Sequence, residues 1–254
     1  MENNMMDKRT AEIFEMYKKN ALGLDDTFQF KCRECGKCCK NREDILLTTR
    51  DLYNIARELG RMPGEIIERY CEGYIGGTSR MPIIRLLPGG PDKVCPLLRN
   101  RKCIVHKAKP AVCALFPLGR AVEYDNDKGN QKILENIKPH YFVQPATCGT
   151  KDRTQTVREW LEKFGFPVED EFYAPWNTTI SLVSEGIRKI EEKASMPEVK
   201  KILWEATFHL LYINYDIKEE LMPQFHENTA ELKDIFNEVM NYADAFVGGI
   251  SDGE

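Results

Sequence analysis

From residue 157 onward, apolar side chains recur at three- and four-residue intervals. Val157, Trp160, Leu161 and Phe164 form one stripe, and Ile180, Val183, Ile187 and Ile190 a second. Val199, Ile202, Leu203, Ala206 and Leu210 form a third, and Leu232, Ile235, Phe236, Val239, Met240 and Phe246 a fourth. Such spacing predicts helices that bury one face, so residues 151–254 are expected to be helical throughout, a bundle or cap. Upstream, TTRDLYNIARELG carries Thr48 as a cap, Asp51 three residues on, an apolar stripe of Leu52, Ile55, Ala56 and Leu59, and Gly60 to close the helix. A short helix is expected from Pro63 through Tyr70, and another over TAEIFEMYK, residues 10–18, within an N-terminal segment 1–27.

Between residues 81 and 145 the pattern changes. MPIIRLL, RKCIV, GRAVEY and KILENI read as short extended pieces, separated by the turn chemistries PGGP, RN and DNDKGN. The expected class is therefore α+β: a loop-rich, metal-stabilised cysteine domain over residues 28–150 with short helices and strands, then the mostly helical part.

Charge sharpens this division. Residues 1–150 carry 25 Lys and Arg against 19 Asp and Glu, a net of +6, while residues 151–254 carry 11 against 21, a net of −10. All nine cysteines lie in the basic part. No stretch has the roughly 18 uncharged apolar residues of a membrane helix, and MENNMMDKRTAEIFEMYKKN lacks the apolar core of an export signal. The expected compartment is the cytoplasm, without membrane attachment. There a cysteine pattern points to metal or catalysis rather than to disulfides.

The densest pattern is FKCRECGKCCKNRE, with Cys32, Cys35, Cys38 and Cys39 in eight positions. A CxxC pair turns two sulfurs toward one metal, and CxxCxxC offers three ligands, as at an iron–sulfur cubane whose fourth ligand is remote. Cys95, followed by Pro96, is a candidate for that fourth position. Zinc competes, but four cysteines in eight residues fold poorly around one tetrahedral ion, which favours iron–sulfur. Cys38 and Cys39, read as extended chain, point to opposite sides and so serve different centres or two faces of one. Cys32, Cys35, Cys38, Cys39, Cys95, Cys103, Cys113 and Cys148 make eight thiols, enough for two four-thiolate centres.

In CIVHKAKPAVCALFP, Pro110 is placed to start a helix and Cys113 falls in its first turn, where partial positive charge favours a thiolate. His106 and His140 are more simply loop histidines than ligands, and Cys71 is a buried bystander. Lys31, Arg33, Lys37, Lys40 and Arg42 surround the first cluster, where cations offset thiolate charge. Few aromatics interleave with them, which argues against nucleic acid.

Taken together, CRECGKCC, CPLL, CIVHKAKPAVCALFP and the late Cys148 resemble the CxxCxxCC, or YkgJ-like, cysteine-cluster family, described as zinc- or iron-chelating, over about residues 28–150. The resemblance implies the same eight cysteines as ligands. His106, Lys109 and Ala114 stand where the family commonly has an aromatic and two arginines. Flagellin lysine-N-methylases carry a similar cysteine domain. That likeness implies an alternative, methyl transfer from S-adenosylmethionine to a protein lysine, although no glycine-rich cofactor loop follows a strand here.

The expected function is that of a cytosolic metal-binding protein whose eight cysteines hold iron–sulfur clusters of the 4Fe–4S type. Its role would be redox, metal handling or structure, with a protein or electron-transfer partner. A zinc-stabilised interaction module is the third reading.

Overall fold

A computed structural model describes residue 15 and residues 19–122, 139–168, 170–193 and 197–251 of the 254-residue chain. The expected helix over 10–18 and the pieces KILENI and DNDKGN lie outside the described residues, apart from Glu15. In chain order the strands are β1 (Ala21–Leu22), β2 (Thr27–Lys31), β3 (Leu46–Leu47), β4 (Cys71–Ile75), β5 (Pro82–Leu86), β6 (Leu98–Arg99), β7 (Lys102–Cys103), β8 (Leu118–Val122), β9 (Pro139–Val143) and β10 (Thr150–Thr156). The helices are α1 (Thr49–Leu59), α2 (Pro63–Tyr70), α3 (Ala111–Leu115), α4 (Val157–Lys163), α5 (Tyr173–Lys193), α6 (Pro197–Phe208) and α7 (Leu221–Ser251), with a π-helical turn at His209–Ile213. The class is mixed α+β with a helical C-terminal region, as the patterning predicts.

The chain forms two compact units, each assembled from separated stretches. The first comprises residues 1–39, 98–103 and 111–170. In it, antiparallel β1–β9–β8 and β2–β10 form two small sheets, and β6–β7 is a hairpin. β2, TFQFK, alternates strictly, burying Phe28 and Phe30 and exposing its other side chains. Both rings meet Trp160 edge-on, with centroids 5.7 Å apart, and the indole nitrogen donates to the Leu115 carbonyl at 3.0 Å. Leu115, Leu118, Tyr141, Val157 and Leu161 complete this core. A capping box of Thr156 and Glu159 starts α4 directly at the end of β10.

The second unit comprises residues 40–97, 104–110 and 171–254. Its sheet has the order β3–β5–β4. α1 has the expected box: Thr48 accepts from the Asp51 amide, Asp51 accepts from the Thr48 amide, and Gly60 ends the helix in left-handed conformation, φ 61°. Its Thr49 hydroxyl donates to the Leu211 carbonyl at 2.5 Å, tying α1 to the π turn. Phe172 stacks on Trp176 and packs against Phe225, while Arg50 lies over its ring at 4.7 Å. Leu52, Ile55, Ile66, Ile84, Ile187, Leu203 and Leu211 are buried here.

Two expectations need correction. Residues 150–156 form a strand, not helix, because alternating Thr residues in TKDRTQT suit a pleated edge and β2 supplies the partner. Ile202, placed in the third stripe, is 56% exposed, while Leu203 beside it is fully buried. The short α3 helix begins at Ala111, one residue after Pro110, and Cys113, its third residue, lies in the first turn as expected. The Phe246 side chain lies outside the described residues. Among the described residues, no helix is long and apolar enough to cross a membrane.

Candidate metal centre

Cys32 follows β2 directly, and β10 pairs antiparallel with β2 in the register Lys31↔Thr150. This pairing carries Cys148, two residues before Thr150, back to the start of the cysteine loop. Gly149 makes the approach feasible. At φ +77° it occupies backbone space that side chains rarely take, and a Cβ there would lie 2.4 Å from the Phe30 ring and 2.8 Å from the Lys31 carbonyl oxygen. The buried Gln155 amide donates to the Phe30 carbonyl at 2.6 Å and pins the same pair of strands.

The loop itself is tightly curved. Glu34 and Gly36 have φ of 50° and 71°, and the Cys39 amide donates to the Gly36 carbonyl at 3.1 Å. The Glu34 amide donates to Cys32 Sγ at 3.4 Å, a bond that a thiolate ligand strengthens. A Cβ at Gly36 would lie 3.5 Å from the Leu98 side chain and 3.6 Å from the Arg101 carbonyl oxygen of the β6–β7 hairpin, which carries Cys103. Lys37–Cys39 is a 3₁₀ turn rather than extended chain. Neighbouring side chains there diverge by about 120°, not 180°, so Cys38 and Cys39 still point apart but by a smaller angle.

The Cys148 thiol is in hydrogen-bonding contact with Cys38, and Cys35 and Cys32 are close enough to act on it electrostatically. Burial, then the fields of Cys38, Cys35 and Cys32, pushes the Cys148 thiol up to about 11. Crowded sulfurs without a cation resist ionisation, and a bound cation reverses that preference. Cys32 and Cys148 both pack against the Phe28–Phe30–Trp160 core, which closes one side of the cluster to water.

The other candidates are distributed. Cys39 ends the 3₁₀ turn, Cys103 lies in β7 and Cys113 in α3, all half-buried in the first unit. Cys95 lies in the second unit, where it acts electrostatically on Cys71. Cys71 is 8% exposed, and burial, then Cys95, pushes its thiol up to about 12, in keeping with an inert core position. All nine cysteines are described, and none is in a disulfide. Among the described residues, no three Cys, His, Asp or Glu side chains form a group that could hold a metal ion. Cys148 is thus in contact with Cys38 and feels Cys35 and Cys32, without the four thiols forming such a group.

His106 sits in a 3₁₀ turn and His140 in β9. Of the basic residues around the loop, Lys31 pairs with Asp152 at 3.7 Å, Lys40 with Asp92 at 3.4 Å and Arg42 with Asp44. These cations are thus shared with surface carboxylates. Gly149 and Gln155 were not singled out by spacing. The signals available were the dipeptide Cys148–Gly149 and the polar alternation that follows it.

The family described as "CxxCxxCC: Putative zinc- or iron-chelating domain" matches residues 31–149. That segment is just under half of the chain, and the match supports a metal-binding role. The chain matches none of the curated proteins and none of the solved structures with which it was compared.

Proposed function

We propose that the cysteine loop and Cys148 form a four-thiolate metal centre, with an iron–sulfur cluster as its occupant. The observation that carries this reading is the gathering of Cys32, Cys35, Cys38 and Cys148 by the β2–β10 pairing, with Cys148 in contact with Cys38. The donor set fits. Four sulfurs with no oxygen ligand suit soft or borderline metals, and three sulfurs of one CxxCxxC run with a remote fourth suit a cubane. Cys39, Cys95, Cys103 and Cys113 are further thiolate ligands in this reading.

A bound cluster supplies one-electron transfer, whereas zinc in the same place supplies structure alone. The chain's own contribution is orientation and shielding. The Glu34 amide holds Cys32 Sγ, the Gly36 turn aims Cys38, and Phe30 with Phe116, edge-on at 5.9 Å, limits water on the core side. The cytoplasm, which keeps thiols reduced, is the compartment this chemistry requires.

Anaerobic purification followed by iron, zinc and acid-labile sulfide analysis and a visible spectrum tests the occupant. The expected product is brown and contains iron with sulfide. A colourless protein with stoichiometric zinc contradicts the iron–sulfur reading and leaves a zinc centre.

A further inference from the structure

The contact between Cys38 and Cys148 has a consequence when the metal is absent. Cys38 lies inside the 3₁₀ turn Lys37–Cys39, Cys148 lies two residues before Thr150, which pairs with Lys31, and the two thiols are in hydrogen-bonding contact. Both thiols are half-buried and neither is in a disulfide. Cys32 and Cys35 act on Cys148 only through their fields, whereas Cys38 is also in hydrogen-bonding contact with it.

We propose that Cys38 and Cys148 form a reversible disulfide on exposure of the metal-free chain to peroxide, a cross-link that withdraws two ligands and blocks reloading. The proposal rests on the metal-site reading for its regulatory meaning but not for its chemistry. One thiol attacks hydrogen peroxide, its sulfur becoming a sulfenic acid with release of water. The second thiol attacks that sulfur, expels a second water molecule and closes the disulfide, so two thiols are oxidised as one peroxide is reduced. A bound metal holds both sulfurs as ligands and makes them poorer nucleophiles, so the loaded centre resists and the empty one reacts.

The test uses the full-length wild-type chain, stripped by a chelator without oxygen and then treated with one equivalent of hydrogen peroxide. Thiol titration should fall from the nine present to seven, peptide mapping should show Cys38 joined to Cys148, and dithiothreitol should restore all the thiols. Cys148 joined mainly to Cys32 or Cys35, or left reduced while other cysteines oxidise, overturns the pairing. Reloading the oxidised chain with iron and sulfide, or with zinc, should give one centre fewer per chain, and undiminished reloading overturns the blocking role. A third arm treats untreated holoprotein with peroxide. If it cross-links as fast as stripped protein, the metal-site reading fails while the pairing stands.

Discussion

The two units of this chain define their local conformations by opposite means. In the second unit, signals close in sequence specify the backbone. Thr48, Asp51 and Gly60 start and stop α1 within its own length, and apolar side chains at helical spacing then bury one face. In the first unit, the cysteine loop has left-handed backbone at Glu34 and Gly36, half-buried thiols and few local capping signals. It is positioned by a strand more than a hundred residues away in sequence, through Lys31↔Thr150. A helical unit of the first kind stands on its packing. The thiol loop depends instead on pairing with residues distant in sequence.

The strongest way to break this comparison is to remove the metal. Anaerobic chelation should cost the first unit on the order of 10 kcal/mol of apparent stability, the scale of structural metal sites in small domains. The second unit should keep its hydrogen-exchange protection under the same treatment. Equal loss in both units would show that the difference drawn here is wrong.

The next test equalises the units. Trp160→Ala removes the indole from the first core and Phe225→Ala a fully buried ring from the second, and each should cost about 3–5 kcal/mol. Chemical denaturation of metal-free protein, followed by exchange mass spectrometry, should locate each loss in its own unit. The cores then resemble one another, and only the thiol loop sets the units apart.

Gly149→Ala should be smaller but more specific, at about 2–4 kcal/mol from left-handed strain and overpacking against Phe30. It should also weaken metal retention, because it disturbs the strand return that delivers Cys148. A variant with normal metal content and a normal melting temperature would remove Gly149 from the account.

The smallest effect is alkaline. Burial raises the phenol of Tyr215 from 10.0 to about 12 and also raises that of Tyr212. The unfolded chain therefore gives up these protons first, so their contribution to stability is intact below pH 10 and is lost as pH rises toward 12. Melts of the second unit across that range should fall, and Tyr215→Phe should flatten the slope. An unchanged slope would show that Tyr215 does not report on this core.

How much of this was legible in the sequence follows from the same contrast. The α1 box, the α2 start at Pro63 and the buried members of the helical stripes are local facts, and they appear in the fold where periodicity places them. Ile202 was misplaced because one stripe cannot tell which of two adjacent apolar residues faces a neighbour that is distant in sequence. The β10 strand was missed because its partner, β2, lies far upstream and its side chains are mostly polar. At the candidate site, thiol identity and the CxxCxxC spacing were plain. The neighbour of Cys38 was not, because strand pairing rather than spacing brings Cys148 there.

The most direct measurement is metal per chain in Cys148→Ser against Cys71→Ser, both purified without oxygen beside the wild type. The account predicts the loss of one centre in Cys148→Ser and wild-type content in Cys71→Ser, since Cys71 is a buried core thiol. Wild-type metal content in Cys148→Ser would contradict the claim that the cysteine loop and the β10 return together form the site.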